Sequence, residues 1–172
     1  MTAGRVFGSR RNGRRNRRIA GPVVRAAAVA ASAAFAGGSL LTQTVVVPFW
    51  RAGKPADSLD SFATYGPATG ATLFPIELLA VGLLGVVTTD AVRNREPGRL
   101  AWATALAGMS ATVGLLPIYF LSANRALLDR TVAADRVADA LASWSHWNWL
   151  RTGLAVLAVA AGCVGFRGGA QS

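Results

Sequence analysis

The chain has 172 residues, of which 52% are hydrophobic and 15% are charged, and its formal net charge is +10. A composition this apolar and this poor in charge is not typical of a soluble domain, so we exclude an ordinary soluble enzyme. The charges are also segregated, because eight arginines and no acidic residue precede position 26.

Residues 1–25 predict a disordered, arginine-rich tail. A basic run of this kind can release counterions from a nucleic acid. A surface that binds nucleic acid by stacking needs several aromatic side chains, however, and the tail contains only Phe7. The tail also leads directly into an apolar segment, so we expect it to lie in the cytoplasm, to contact anionic lipid and to bind no nucleic acid.

Four apolar segments follow the tail, and each approaches the roughly 20 residues that a helix needs to cross the hydrocarbon core. They cover about 27–48, 72–92, 100–121 and 147–166. The sequence therefore predicts an all-α, integral membrane four-helix bundle over residues 26–166, followed by a short C-terminal tail at 167–172. The motif Ala34-Phe35-Ala36 resembles a signal cleavage site, but the apolar run continues well past it, which favours an uncleaved first helix.

Charges in the connections predict the orientation. With the N-terminus inside, the cytoplasmic segments hold twelve arginines, whereas the two outer connections hold five basic and five acidic residues. This is the positive-inside asymmetry, and it places both termini in the cytoplasm of a multi-pass plasma-membrane protein.

The connections and the small residues carry further expectations. Residues 51–70 contain Pro55, Gly66, Pro67 and Gly70 and predict an irregular loop. Residues 126–143 predict either a short amphipathic helix on the membrane or an extension of helix 4. Small residues recur every four positions in three helices and predict close helix contacts: Ala26, Ala30, Ala34 and Gly38; Ala103, Ala107 and Ala111; Ala158 and Gly162.

Arg151 is the central residue of the candidate site. It lies about 22 Å of helix from Arg167, which puts its guanidinium at or just inside the outer edge of the apolar layer. Glu77 lies at a similar depth in helix 2 and is the candidate partner. The alternative is that Arg151 reaches towards the headgroups while Glu77 caps helix 2.

The periodicity of helix 4 favours an inward Arg151. At 100° per residue, Trp144, Asn148 and Arg151 share one face with the small residues at 155, 158 and 162. His146, the only histidine, falls on roughly the opposite side, so we do not expect it to act as a general base. Asn124 at the end of helix 3 and Gln43 in helix 1 can reach the same outer pocket.

Three motifs resemble those of the anthrone oxygenase-like family of small four-helix membrane proteins. The principal one opens the last helix, as W-x-x-W-N-x-x-R-T over Trp144 to Thr152. The second runs from Pro117 to Asn124-Arg125-Ala126-Leu127. The third runs from Gly37-Gly38 to Val45-Val46-Val47-Pro48. The resemblance covers about 26–166.

The resemblance implies a four-helix fold and oxidation of an anthrone to an anthraquinone by O₂, with no metal or organic cofactor. It implies Asn124, Trp147, Asn148 and Arg151 as pocket residues. Arg151 and Asn148 would stabilise the enolate of the substrate, as an oxyanion site does. The family pattern uses histidines to remove a proton, whereas this chain offers only His146, which leaves Glu77 as the remaining candidate base.

The sequence is compatible with two functions. The first is a cofactor-independent oxygenase acting on a small apolar aromatic, with Arg151, Asn148 and Glu77 as catalytic residues. Its substrate-binding residues would be Trp147, Trp144, Asn124 and Gln43. The second is a non-catalytic membrane protein that binds or carries a small molecule or acts as a partner subunit. The sequence contains no metal-ligand spacing and no phosphate-binding glycine loop, and its only cysteine is Cys163.

Overall fold

The computed structural model describes residues 19–170, and the side chains of residues 19–168, as four long helices. Each helix is long and apolar enough to cross a membrane, and within the described residues there is no strand, as predicted for an all-α chain. The helices are α1 (Pro22–Arg51), α2 (Pro55–Arg93), α3 (Arg99–Leu128) and α4 (Val137–Ala170), with a 3₁₀ turn at Ala134–Arg136 before α4.

All four helices extend beyond the segments predicted as spans. Each predicted segment lies inside one helix, but α1 begins at Pro22, within the segment predicted as a disordered tail. Most of the arginine-rich tail, residues 1–18, and the last two residues of the C-terminal tail lie outside the described part of the chain. Of residues 126–143, the first three end α3, residues 129–136 form the connection with its 3₁₀ turn, and residues 137–143 begin α4, which agrees in part with the predicted extension of helix 4.

The predicted irregular loop at 51–70 is wrong. Only residues 52–54 connect the helices, and α2 runs without interruption through Gly66, Pro67 and Gly70. Pro67 removes one backbone hydrogen bond from the helix. That loss is offset by packing, because Leu59 and Phe62 on the same helix are buried in an apolar cluster with residues of the other three helices.

Two π-helical turns interrupt α1 and α3 at the same end of the bundle. They span Thr42–Val46 and Leu116–Phe120 and end in backbone hydrogen bonds from residue i to residue i−5. Each lies at or next to a proline, Pro48 or Pro117, which cannot donate the regular helical hydrogen bond. Both turns place side chains inward at the site described below.

The buried apolar side chains form two clusters that divide the bundle into two halves. The turn half lies towards the connection at 94–98 and is built around Phe35, Leu84, Trp102 and Met109. The cavity half lies towards the connections at 52–54 and 129–136 and contains Trp50, Phe62, Phe120, Leu141 and Trp144.

The inward face of α4 agrees with its predicted periodicity, whereas those of α1 and α3 do not. Trp144, Asn148 and the small residues of α4 are buried, and His146 is exposed. In α1 the exposed residues include Ala26, Ala30 and Ala34, and in α3 they include Ala107 and Ala111. Side chains at other positions face the core instead: Arg25, Ala28, Ser32, Phe35 and Ser39 in α1, and Trp102, Ala105, Met109 and Thr112 in α3. Larger side chains, including Arg25 and Phe35 in α1 and Trp102 and Met109 in α3, thus occupy the inward positions of these two helices.

Candidate functional site

Arg151 of α4 and Glu77 of α2 form an ion pair in the interior of the bundle. Arg151 Nη2 lies 2.5 Å from Glu77 Oε2, and the carboxylate is fully buried. Glu77 Oε1 accepts a 2.6 Å hydrogen bond from the hydroxyl of Thr112 in α3. The predicted contact between Arg151 and Glu77 is therefore present, and both oxygens of Glu77 have partners.

Two aromatic rings pack against the guanidinium of Arg151. Its central carbon lies 4.9 Å from the ring centre of Phe35 in α1 and 5.4 Å from that of Phe120 in α3. Cation–π contacts of this kind stabilise a desolvated guanidinium. Because α1 and α3 supply the rings and α2 supplies the carboxylate, all four helices meet at Arg151. Sequence reasoning missed both rings and Thr112, since nothing in their local pattern distinguishes them from ordinary core residues.

An amide pair joins α1 to α4 beside Arg151. Asn148 Nδ2 donates a 2.8 Å hydrogen bond to Gln43 Oε1. Gln43 Nε2 in turn donates to the hydroxyl of Ser145 at 2.5 Å. All three side chains are buried. The π-helical turn of α1 carries Gln43, so the irregular backbone there has a direct role in orienting Asn148.

Trp144 is the centre of an aromatic cluster in the cavity half. Its indole N–H donates to Asn124 Oδ1 at 2.9 Å. The rings of Trp50, Phe62 and Phe120 pack edge-on against it, with centroids 5.4 to 6.4 Å away. Trp50 and Trp144 are thus buried among protein side chains.

A cavity of about 490 Å³ lies between α2 and α3 next to this cluster. Its walls are mostly apolar, and Gly66, Pro67 and Gly70 of α2 border it. Pro75, also on the wall, cannot donate a backbone hydrogen bond to the carbonyl of Ala71, which leaves that carbonyl without its regular helical partner. The polar side chains on the wall are Thr42, Thr69, Asn124, Asn148 and Arg151.

The seven predicted site residues separate into three groups. Asn124, Trp144, Asn148 and Arg151 line the cavity. Glu77 and Gln43 do not line it, but each contacts a residue that does. Trp147 lies away from the cavity, where it stacks on Tyr119 with ring centres 4.9 Å apart.

Two wall residues, Trp50 and Arg151, each have a buried N–H (Nε1 and Nε) without a hydrogen-bond partner within the described part of the chain, and three further polar atoms of the wall residues are also without one. These three atoms are Arg151 Nη1 and Asn124 Nδ2, which are donors, and Asn148 Oδ1, which is an acceptor. The residues of the wall thus keep a few unused hydrogen-bonding atoms in a mostly apolar space. A small molecule with an oxygen-bearing group at one end suits this arrangement.

A second buried arginine, in the turn half, was not predicted as a site. Arg25 makes two 2.8 Å hydrogen bonds to the two oxygens of Glu96 and a 3.3 Å contact with Asp90 Oδ2. Its Nε donates to the carbonyl of Ala20, and Asp90 Oδ1 accepts the backbone N–H of Ile19. The sequence did contain a signal, because two of its eight acidic residues, Asp90 and Glu96, lie near or in the 94–98 turn. Arg25 was assigned to the disordered tail, so its pairing with them was not predicted.

Among the described residues, no three histidine, cysteine, aspartate or glutamate side chains come close enough together to hold a metal ion. No known protein family, characterised protein or solved structure shows significant similarity to this chain. The family resemblance in the sequence therefore stays a prediction. The architecture defines the class as an all-helical protein with four helices long and apolar enough to cross a membrane.

Proposed function

We propose that this chain is a multi-pass membrane protein that binds a small, largely apolar molecule in the cavity between α2 and α3. One observation carries the proposal. Arg151, Asn148 and Asn124 present unpaired hydrogen-bonding atoms to an apolar, aromatic-walled cavity of about 490 Å³. Cavities of this size, with a few convergent polar groups, are typical of sites for small organic molecules.

Membrane insertion is supported by the outer surface of the bundle. Large apolar side chains are exposed on all four helices, as a lipid environment requires: Leu40, Val45, Leu78, Val86, Leu121, Leu150 and Val156. The sequence has twelve arginines in residues 1–25, around the 94–98 turn and at Arg167, and this asymmetry supports an orientation with both termini in the cytoplasm of a plasma-membrane protein. The arginine-rich segment before α1 would then contact anionic lipid.

A second function is oxidation of a bound anthrone by O₂, and the arrangement around Arg151 favours it. In this reaction an anthrone and O₂ give an anthraquinone and water, and the enolate of the anthrone is the electron donor. Arg151 Nη1 and Asn124 Nδ2 can donate hydrogen bonds to the oxygen on which the negative charge of the enolate develops. The oxygenase function is the second candidate because Glu77, the candidate base, does not line the cavity. Its two carboxylate oxygens already contact Arg151 and Thr112.

The test uses protein purified in detergent, without added metal or flavin, and anthrone as the probe. Binding is measured first under anaerobic conditions by equilibrium dialysis. Air is then admitted and anthraquinone is measured by its absorbance. We expect saturable binding by the native protein and at least about tenfold weaker binding by Arg151→Met, because the variant loses the donor that faces the cavity.

Arg167→Met is the matched control, since Arg167 lies on the same helix and is exposed at the far end. It should bind as the native protein does. His146→Ala should also leave binding and any oxidation unchanged. If the protein binds anthrone but forms no anthraquinone, only the ligand-binding function is supported. If it forms anthraquinone and Arg151→Met does not, the oxygenase function is supported. Absence of saturable binding by folded protein contradicts both.

A further inference from the structure

The positive charge of Arg151 on the cavity wall is balanced by the carboxylate of Glu77, which lies outside the cavity. Among the side chains that the structure describes, Arg151 is the only ionisable one that lines the cavity, and Glu77 contacts it at 2.5 Å from outside the wall. The carboxylate is fully buried and is fixed by Thr112, so solvent does not screen it. Arg151 therefore offers N–H donors to the cavity without net positive charge at the site.

From this geometry we infer that the cavity selects an uncharged polar group, such as a carboxamide, ketone or phenol, over a carboxylate, and that Glu77 sets this preference. The inference rests on the proposed binding function and gives it a ligand class. Glu77 acts through Arg151 and does not contact the ligand, so it is a positioning and charge-setting residue.

The physical reason is the cost of a buried charge. A carboxylate that entered the cavity would lose its water and would meet an arginine whose charge is already paired with Glu77. Three ionised groups would then share one buried site with a net charge of −1. An uncharged carboxamide avoids this cost and matches the wall, because its oxygen can accept from Arg151 Nη1 or Asn124 Nδ2 and its N–H can donate to Asn148 Oδ1.

The decisive experiment compares three probes with the same ring system: naphthalene, 2-naphthamide and 2-naphthoate. Their dissociation constants are measured by equilibrium dialysis against native protein in nanodiscs, with empty nanodiscs as the reference for partition into lipid. We expect 2-naphthamide to bind more tightly than naphthalene, and at least about tenfold more tightly than 2-naphthoate, at pH 7. Equal or tighter binding of the carboxylate overturns the inference.

The Glu77→Gln variant tests the assigned residue. It keeps the size of the side chain but removes the negative charge, so Arg151 gains an unpaired charge beside the cavity. The preference for 2-naphthamide over 2-naphthoate should fall by at least about tenfold and can reverse. Glu96→Gln is the matched control, because Glu96 is also buried and paired with an arginine but lies in the turn half. It should leave the preference unchanged.

The design separates the inference from the proposed function. If none of the three probes binds native protein, the binding function itself fails. If the probes bind but native protein prefers the carboxylate, or if Glu77→Gln folds and keeps the native preference, the binding function stands and the charge inference is wrong. The ratio of the dissociation constants of 2-naphthoate and 2-naphthamide for native protein decides the ligand class even if Glu77→Gln does not fold.

Discussion

Each half of the bundle has one arginine that faces its interior, Arg25 in the turn half and Arg151 in the cavity half, and the two side chains have different sets of partners. In the turn half, Arg25 has a two-point contact with Glu96, a further contact with Asp90 and a hydrogen bond from Nε to the carbonyl of Ala20. In the cavity half, Arg151 has one carboxylate contact, and its Nε is buried without a partner. The remaining contacts of the Arg151 guanidinium are with two aromatic rings.

The closeness of packing at individual glycines also differs between the two halves. In the turn half, a Cβ atom added at Gly165 would lie 2.8 Å from the ring of Trp102, and one added at Gly98 would lie 2.8 Å from a backbone carbonyl. In the cavity half, a Cβ added at Gly70 would meet nothing within 4 Å. The comparison teaches that an interior arginine becomes a candidate functional residue when it keeps unused donors beside open space. A fully bonded arginine in close packing is structural.

The largest effect is expected at the arginine of the turn half. Arg25→Met removes the partner of two buried carboxylates and should lower the free energy of unfolding by about 3–5 kcal/mol. SDS titration in mixed micelles measures the change. The triple variant Arg25→Met/Asp90→Asn/Glu96→Gln removes the uncompensated charges as well and should recover most of the loss. A single Arg25→Met variant of native stability would refute the structural role given to Arg25.

A smaller effect is expected where the helices approach most closely. Gly165→Leu forces a side chain into the ring of Trp102 and should destabilise the protein by about 1–3 kcal/mol. The matched control is Gly153→Leu on the same helix, because Gly153 is exposed and has open space around its Cβ position. The same titration compares the two variants, and equal stabilities would mean that the turn half is not closely packed.

The smallest effect on stability, and a selective effect on binding, is expected at the open glycine of the cavity half. Gly70→Phe places a ring in the cavity opening and should weaken 2-naphthamide binding at least about tenfold. Its stability should change by less than about 0.5 kcal/mol, as is usual for exposed sites. Gly82→Phe on the same helix is the control, since Gly82 is exposed away from the cavity. Unchanged binding in Gly70→Phe would exclude this opening as part of the ligand site.

Much of the fold was readable from local patterns. Hydropathy gave the number and approximate positions of the helices, because each apolar run is long and is bounded by charges. The periodicity of α4 correctly gave its inward face and the exposed position of His146. The reading of 51–70 as a loop failed because proline and glycine are local breakers, whereas packing of Leu59 and Phe62 is a tertiary effect.

The candidate site was only partly readable for the same reason. Equal depth along α2 and α4 predicted the contact between Arg151 and Glu77, since rise per residue converts sequence distance into height. Depth says nothing about the rotation of neighbouring helices, so the rings of Phe35 and Phe120 and the hydroxyl of Thr112 were missed. The small residues of α1 and α3 were expected at helix contacts but are mostly exposed, and this error also arises because the sequence does not show how the helices rotate.

The sequence by itself determined the helical class, the four apolar segments, the asymmetry of charge and the inward side of α4. These properties depend on composition and on periodicity within one segment. Only the tertiary structure decided that Arg25 has a partner for each of its nitrogen atoms whereas Arg151 keeps unused donors. It also decided where the cavity lies and that Glu77 and Gln43 contact the residues that line it. Those properties depend on how four helices rotate against one another, and that rotation is set by contacts between residues far apart in the chain.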